Sequence, residues 1–78
     1  MATLTSALNT VFTPSTGTFN VQASGGNVQL ERRNTSGAAW CAAGIMVSGQ
    51  AYVVDNSVSA TEYRFVALTG TPTVQADQ

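Results

Sequence analysis

Histidine is absent from this chain, cysteine occurs once, and only three basic and four acidic side chains are spread along its 78 residues. Each shortage excludes a class of chemistry. Without histidine, a serine or cysteine nucleophile lacks its usual base, so Ser-His-Asp and Cys-His arrangements cannot form within one subunit. A zinc or other transition-metal site lacks its ligands for the same reason. With Cys41 alone, no intrachain disulfide is possible. The acids Glu31, Asp55, Glu62 and Asp77 are too widely scattered for a calcium loop. The only cations, Arg32, Arg33 and Arg64, are too few to neutralise a run of phosphates, which argues against a nucleic-acid partner. No apolar run approaches the roughly 18 residues of a membrane helix, and the start MATLTSALNTVF lacks the basic and apolar regions of a secretory signal. The expectation is a soluble, unprocessed chain made in a reducing cytoplasm.

These absences also pose a stability problem. A chain of 8.1 kDa suffices for one domain. Area scaling gives roughly 4,500 Å² of folded surface against about 11,700 Å² unfolded, so only about 60% of the surface is buried on folding. Domains with so thin a core lean on disulfides, metals or neighbouring subunits, and composition leaves the last of these. Charged residues make up 9% of the chain, against about 25% in an ordinary soluble domain. The surface is therefore built from Thr, Ser, Asn, Gln and small apolar side chains, which suits packing against copies or partners.

What is present is strand patterning. Residues 1–9, with Ala2, Leu4, Ala7 and Leu8, have no decisive period and read as an N-terminal arm. Val11 and Phe12 form a first strand that ends at the turn cluster Pro14-Ser15-Thr16-Gly17. Thr18 to Ala23 alternates Phe19, Val21 and Ala23 with Asn20 and Gln22, as a half-buried strand requires. Ser24-Gly25-Gly26 reads as a hairpin turn into Asn27 to Arg33, where Val28, Leu30 and Arg32 alternate with Gln29, Glu31 and Arg33. After the turn Asn34 to Gly37, an alanine-rich stretch carries Trp40, which reads as a core anchor. Ile45 to Val47 is either a short edge strand or a packed loop. Gln50 to Asp55 is a further strand, and Thr61 to Thr69 has two largely apolar faces, which predicts a central position. Gly70-Thr71-Pro72 leads to Thr73 to Ala76, expected at an edge because proline is close by.

Six or seven short strands at spacings of about 8 to 12 residues predict an all-β fold, a small antiparallel β-sandwich, Ig-like or jelly-roll-like, over residues 10–78. Its expected core anchors are Phe19, Val21, Leu30, Trp40, Tyr63 and Phe65.

Four groups admit a chemical and a plain reading. Glu31 and Glu62 lie on separate strands and are either an acid–base pair or solvated acids matched to Arg32, Arg33 or Arg64, the latter being the more ordinary case. Glu31-Arg32-Arg33 either contacts an acidic patch on a partner or is a solvated face or an intrachain pair to Glu62. Trp40, Tyr52 and Tyr63 either form a sugar-stacking platform or pack in the core. Cys41 reads as a small buried hydrophobe, with an intersubunit disulfide or reactive thiol as the alternative. The glycines match no phosphate-binding loop, so no cofactor is expected.

The stretch FNVQASGGNVQLERRNTSGAAW, followed after a gap by EYRFVALTG, carries a further pattern. A strand ending in Gly25-Gly26 leads to a strand with Val28, Leu30, Glu31 and Arg33, then a turn at Gly37, then Trp40, and finally a strand with Tyr63 and Arg64 that ends at Gly70. In this the chain resembles small β-sandwich virion proteins of tailed bacteriophages. The resemblance implies a non-enzymatic subunit built into the particle in many copies, as a head decoration or cement protein or as a fibre or tail accessory. It implies partners among copies of itself and the major capsid or other virion proteins, with no membrane, nucleic acid or small-molecule substrate, and assembly in the host cytoplasm. Leu4 and Leu8 of the arm, with Arg32 and Arg33, are the expected partner contacts; recognition of a host-surface glycan is the alternative role.

Overall fold

The computed structural model describes all 78 residues, as strands and turns without a helix. The strands are β1 (Thr3–Thr5), β2 (Gly17–Ser24), β3 (Val28–Arg33), β4 (Cys41–Met46), β5 (Gln50–Asn56), β6 (Glu62–Ala67) and β7 (Thr73–Asp77). They form an antiparallel sandwich: a four-stranded sheet ordered β1-β7-β2-β5 lies against a three-stranded sheet ordered β4-β3-β6. The slab measures 30 × 28 × 16 Å and exposes 4224 Å², close to the surface expected from chain length.

The topology is one long hairpin folded over on itself. At its tip β3 pairs with β4; outside that β2 pairs with β5, then Phe12 bridges Tyr63 of β6, and at the open end β1 pairs with β7. The folded ribbon also joins β2 to β7 and β3 to β6, which closes each sheet. This nesting is the jelly roll, with one of its strands reduced to the bridge at Phe12.

Alternation explains which side chains meet between the sheets. Phe19, Val21 and Ala23 of β2 and Val74 and Ala76 of β7 point inward from one sheet, and Val28, Leu30, Tyr63 and Phe65 from the other. Phe12 lies at the centre, stacked on Phe65 at 5.4 Å and on Tyr63 at 5.7 Å and set edge-on to Phe19 at 5.8 Å. Such aromatic pairs contribute beyond the area they bury. Only 16 of the 78 residues are buried, so this aromatic group is a large fraction of the core.

Four local expectations change. β2 and β3 have matching apolar faces but lie in different sheets, so Ser24-Gly25-Gly26 is a corner and not a hairpin turn. Matching faces are what two strands need to look at each other across a core as well as to lie side by side. At this corner a Cβ on Gly26 would stand 2.1 Å from the Thr69 carbonyl oxygen, and one on Gly70 would stand 2.7 Å from that of Gly25. The β6 strand is outermost in its sheet, and its second apolar face is only half covered at Val66. Conversely β7 is internal, because residues expected to be an arm supply β1 on its outer side. Leu4 and Leu8 pack against the chain's own core, which is where two apolar side chains with no other partner settle.

Candidate interaction surfaces

Glu31 and Arg33 of β3 and Glu62 and Arg64 of β6 alternate onto the outer face of the three-stranded sheet. Register places Glu31 opposite Arg64 and Arg33 opposite Glu62. Each pair closes at 2.7 Å from guanidinium Nε to carboxylate, and Gln29 adds a 3.1 Å hydrogen bond to Glu31. The two carboxylates are thus engaged with arginines.

Trp40 lies over this charged square. The guanidinium carbons of Arg33 and Arg64 stand 4.4 and 4.5 Å from the centroid of its ring, within cation–π range. The expectation that Trp40 anchors the core is therefore corrected: Trp40 is half-buried on the outside, held by charges, while Phe19, Val21, Leu30, Tyr63 and Phe65 lie in the core. The sequence signal was available. Trp40 precedes β4 in a run of small residues, and two arginines of alternating strands face the same way as the acids they match. Arg33 is accordingly occupied within the chain, whereas Arg32, on the opposite side of β3, is exposed and forms no ion pair.

The aromatic platform does not assemble. Tyr63 is buried, with its hydroxyl donating to Asn56 Oδ1 at 3.1 Å. Asn56 in turn donates to the carbonyls of Pro14 and Ser15 at 3.3 and 3.1 Å, which ties the entry to β2 to the end of β5. Tyr52 packs against the core, and its hydroxyl accepts from the Val47 amide at 2.9 Å. Cys41 is exposed rather than buried, because β4 shows most of its length to solvent.

Sheet edges are where this molecule is most uneven. On one lateral side, the outer edge of β6 is occupied by the stretch before β2. Phe12 and Tyr63 exchange two backbone hydrogen bonds of 2.9 Å, and the Asn9 amide donates to the Phe65 carbonyl at 2.8 Å. The neighbouring edge, β1, has three residues and an irregular register.

On the other lateral side, β4 and β5 are both edge strands joined by Val47 to Gly49. From Asn34 through Val54 the sequence contains no charged residue. Ile45, Val47 and Val53 are all exposed there, Val53 to 69%. Of the two edges, β4 carries a bulge: Leu30 pairs with Gly44 and Glu31 with Ala42, so Ala43 has no counterpart. The β5 edge is regular, with seven successive pairs to β2 from Asn56 to Gln50 and no shift.

The outer face of the four-stranded sheet is mostly polar and uncharged, with Asp55 and Asp77 as its carboxylates. Asn20, Gln22 and Ser24 of β2 lie beside Asp77, Gln75 and Thr73 of β7. Ser24 and Thr73 share a 2.8 Å hydrogen bond, and the Gln75 amide donates to Thr3 and Asp77. A shallow groove crosses this face toward Gln50 and Ala51, lined mainly by amides and hydroxyls.

Comparison with protein-family models, with curated proteins and with solved structures found no match to this chain.

Proposed function

We propose that this protein is a non-enzymatic structural subunit of a phage virion, a decoration or stabilising subunit of the capsid that binds neighbouring coat or decoration subunits. The observation that carries this reading is the uncharged lateral side formed by β4 and β5, where two unpaired strand edges and three apolar side chains face solvent together. Soluble proteins blunt such edges with lysine, proline or covering loops. A chain that seals one side and leaves the other bare is organised for contact with protein. The resemblance of its strand motifs to phage virion proteins supports the same reading, as does the use of jelly rolls in viral coats, although that fold also hosts sugar-binding modules and does not by itself specify a role.

Structure shifts the contact residues within this proposal. Leu4 and Leu8 are packed against the chain's own core, so this reading rests on the β4–β5 side and not on an exchangeable arm. Arg32 stays available at the rim, whereas Arg33 is bound to Glu62. Glycan recognition would need Trp40, Tyr52 and Tyr63 on one surface, and they occupy different ones.

The test is light scattering after size exclusion, on the purified chain alone and mixed with empty phage heads that carry no copy of it. Saturable binding to heads supports the reading. A chain that leaves heads untouched but is retained on host-surface glycan overturns it in favour of receptor recognition.

A further inference from the structure

We infer that β5 is a self-pairing edge: it joins the β5 of a second copy antiparallel about a two-fold axis at Val53, fusing two four-stranded sheets into one continuous sheet. This deepens the subunit reading and rests on it only in requiring that copies associate. The argument has three parts.

The first is the unmet hydrogen bonding of β5. Its ladder to β2 uses one side of the strand. No hydrogen bond within the chain reaches the other side between Ala51 and Asp55. A row of outward N–H and C=O groups on a regular, seven-residue strand is a template for another extended backbone.

The second is the identity of the occupant. The β6 edge is covered by Asn9 to Phe12, the β1 edge is three residues long, and the β4 edge is interrupted at Ala43. Within a pool of identical chains, the one regular edge available to pair with β5 is therefore another β5. A two-fold arrangement closes after two copies, so pairing ends in a dimer instead of a fibre.

The third is the register. Centring the axis on Val53 uses all seven residues of QAYVVDN. It sets Val53 against its own copy, Tyr52 against Val54, Ala51 against Asp55 and Gln50 against Asn56. The single charge of the strand meets an alanine, so no like charges oppose each other. Faces are preserved as well. Tyr52 and Val54, which lie opposite Val21 and Phe19, stay on the core side, and Ala51, Val53 and Asp55 stay on the outer side. Two valines meet directly at the axis, a β-branched cross-strand pair of the kind that stabilises sheets.

The experiment is light scattering of the purified full chain over a micromolar to millimolar series. The expected result is a shift from 8.1 kDa to twice that mass. Val53→Lys places two like charges face to face at the axis and should raise the dissociation constant by at least about tenfold. Val58→Lys, an exposed valine outside the strand, should leave it unchanged. Thermal melting of each variant checks folding, which Val53→Lys preserves because the side chain is exposed in the single copy. In a Cys41→Ser background, Val53→Cys should cross-link with a short bismaleimide, because directly paired Cβ atoms lie ~4.5–5.5 Å apart. A chain that is monomeric throughout overturns the inference, and so does a dimer that Val53→Lys leaves intact or Val53→Cys leaves unlinked. If pairing fails while heads are still bound, the β5 edge is wrong and the subunit reading stands. If pairing holds and heads are ignored, the reverse follows.

Discussion

On one lateral side of the sandwich the chain turns Asn9 to Phe12 back onto β6, drops Phe12 among three aromatic rings and bonds the outward amide and carbonyl of Tyr63 and the carbonyl of Phe65. On the other, β4 and β5 end the two sheets with nothing laid over them, and valine and isoleucine stand in solvent. The difference is that the closed side gathers stabilising contacts, whereas the open side leaves strand edges unpaired and apolar side chains in water.

Mutations can break that division. Phe12→Ala should be the most damaging, at about 3–5 kcal/mol, because it removes the ring that three others contact and loosens the seal over β6. Urea unfolding measures it; against a typical total of about 5–15 kcal/mol the variant should be barely folded. A loss below about 1 kcal/mol would mean that the closed side does not hold the sandwich together.

Gly26→Ala comes next, since its Cβ would meet the Thr69 carbonyl at 2.1 Å, backbone that cannot rotate away. An overpacking cost of about 1–3 kcal/mol is expected. That corresponds to a melting point lower by roughly 4–8 °C for each kcal/mol in a domain of this size.

Asn56→Ala should cost about 1–3 kcal/mol by leaving the buried Tyr63 hydroxyl without its acceptor. Adding Tyr63→Phe removes the stranded donor, so the double variant should lose less than the sum of the two singles. Strict additivity in that cycle would show that the two groups do not depend on each other.

Trp40→Ala should cost only about 0.5–1 kcal/mol for each cation–π contact it removes. A chemical-denaturation cycle with Arg64→Met separates that contact from the ion pair to Glu31. Val53→Ala is the smallest perturbation of folding, within about 0.5 kcal/mol by urea titration, since the side chain is mostly in water. The same variant should weaken self-association, which makes it the sharpest contrast with Phe12→Ala. An effect of Val53→Ala on stability as large as that of Phe12→Ala would erase the distinction between the sides.

How far the fold was legible can be followed through individual residues. The alternation in Thr18 to Ala23 and Asn27 to Arg33 is local, and it yields the strands and the inward side chains Phe19, Val21, Val28 and Leu30. It carries no information on which strands become neighbours, so the corner at Gly25-Gly26 read as a hairpin turn. The two apolar faces of Thr61 to Thr69 predict a central place, whereas one of them is met by half-covered Val66 and exposed Leu68 at an outer strand. The open side was legible only as a low charge density; which strands border it is a property of the strand order.

Sequence by itself determined the all-β character, the positions of the strands with clear alternation, the weak surface charge and the lack of histidine and disulfide chemistry, because each follows from residue type or from a period of two along the chain. Tertiary structure decided the pairing of Phe12 with Tyr63, the capture of Leu4 and Leu8, the placing of Trp40 over Arg33 and Arg64, and the bare β5 edge. Those depend on contacts between residues far apart in the chain, where many arrangements satisfy the same local pattern and only the one that fills a shared core and pairs the buried backbone survives.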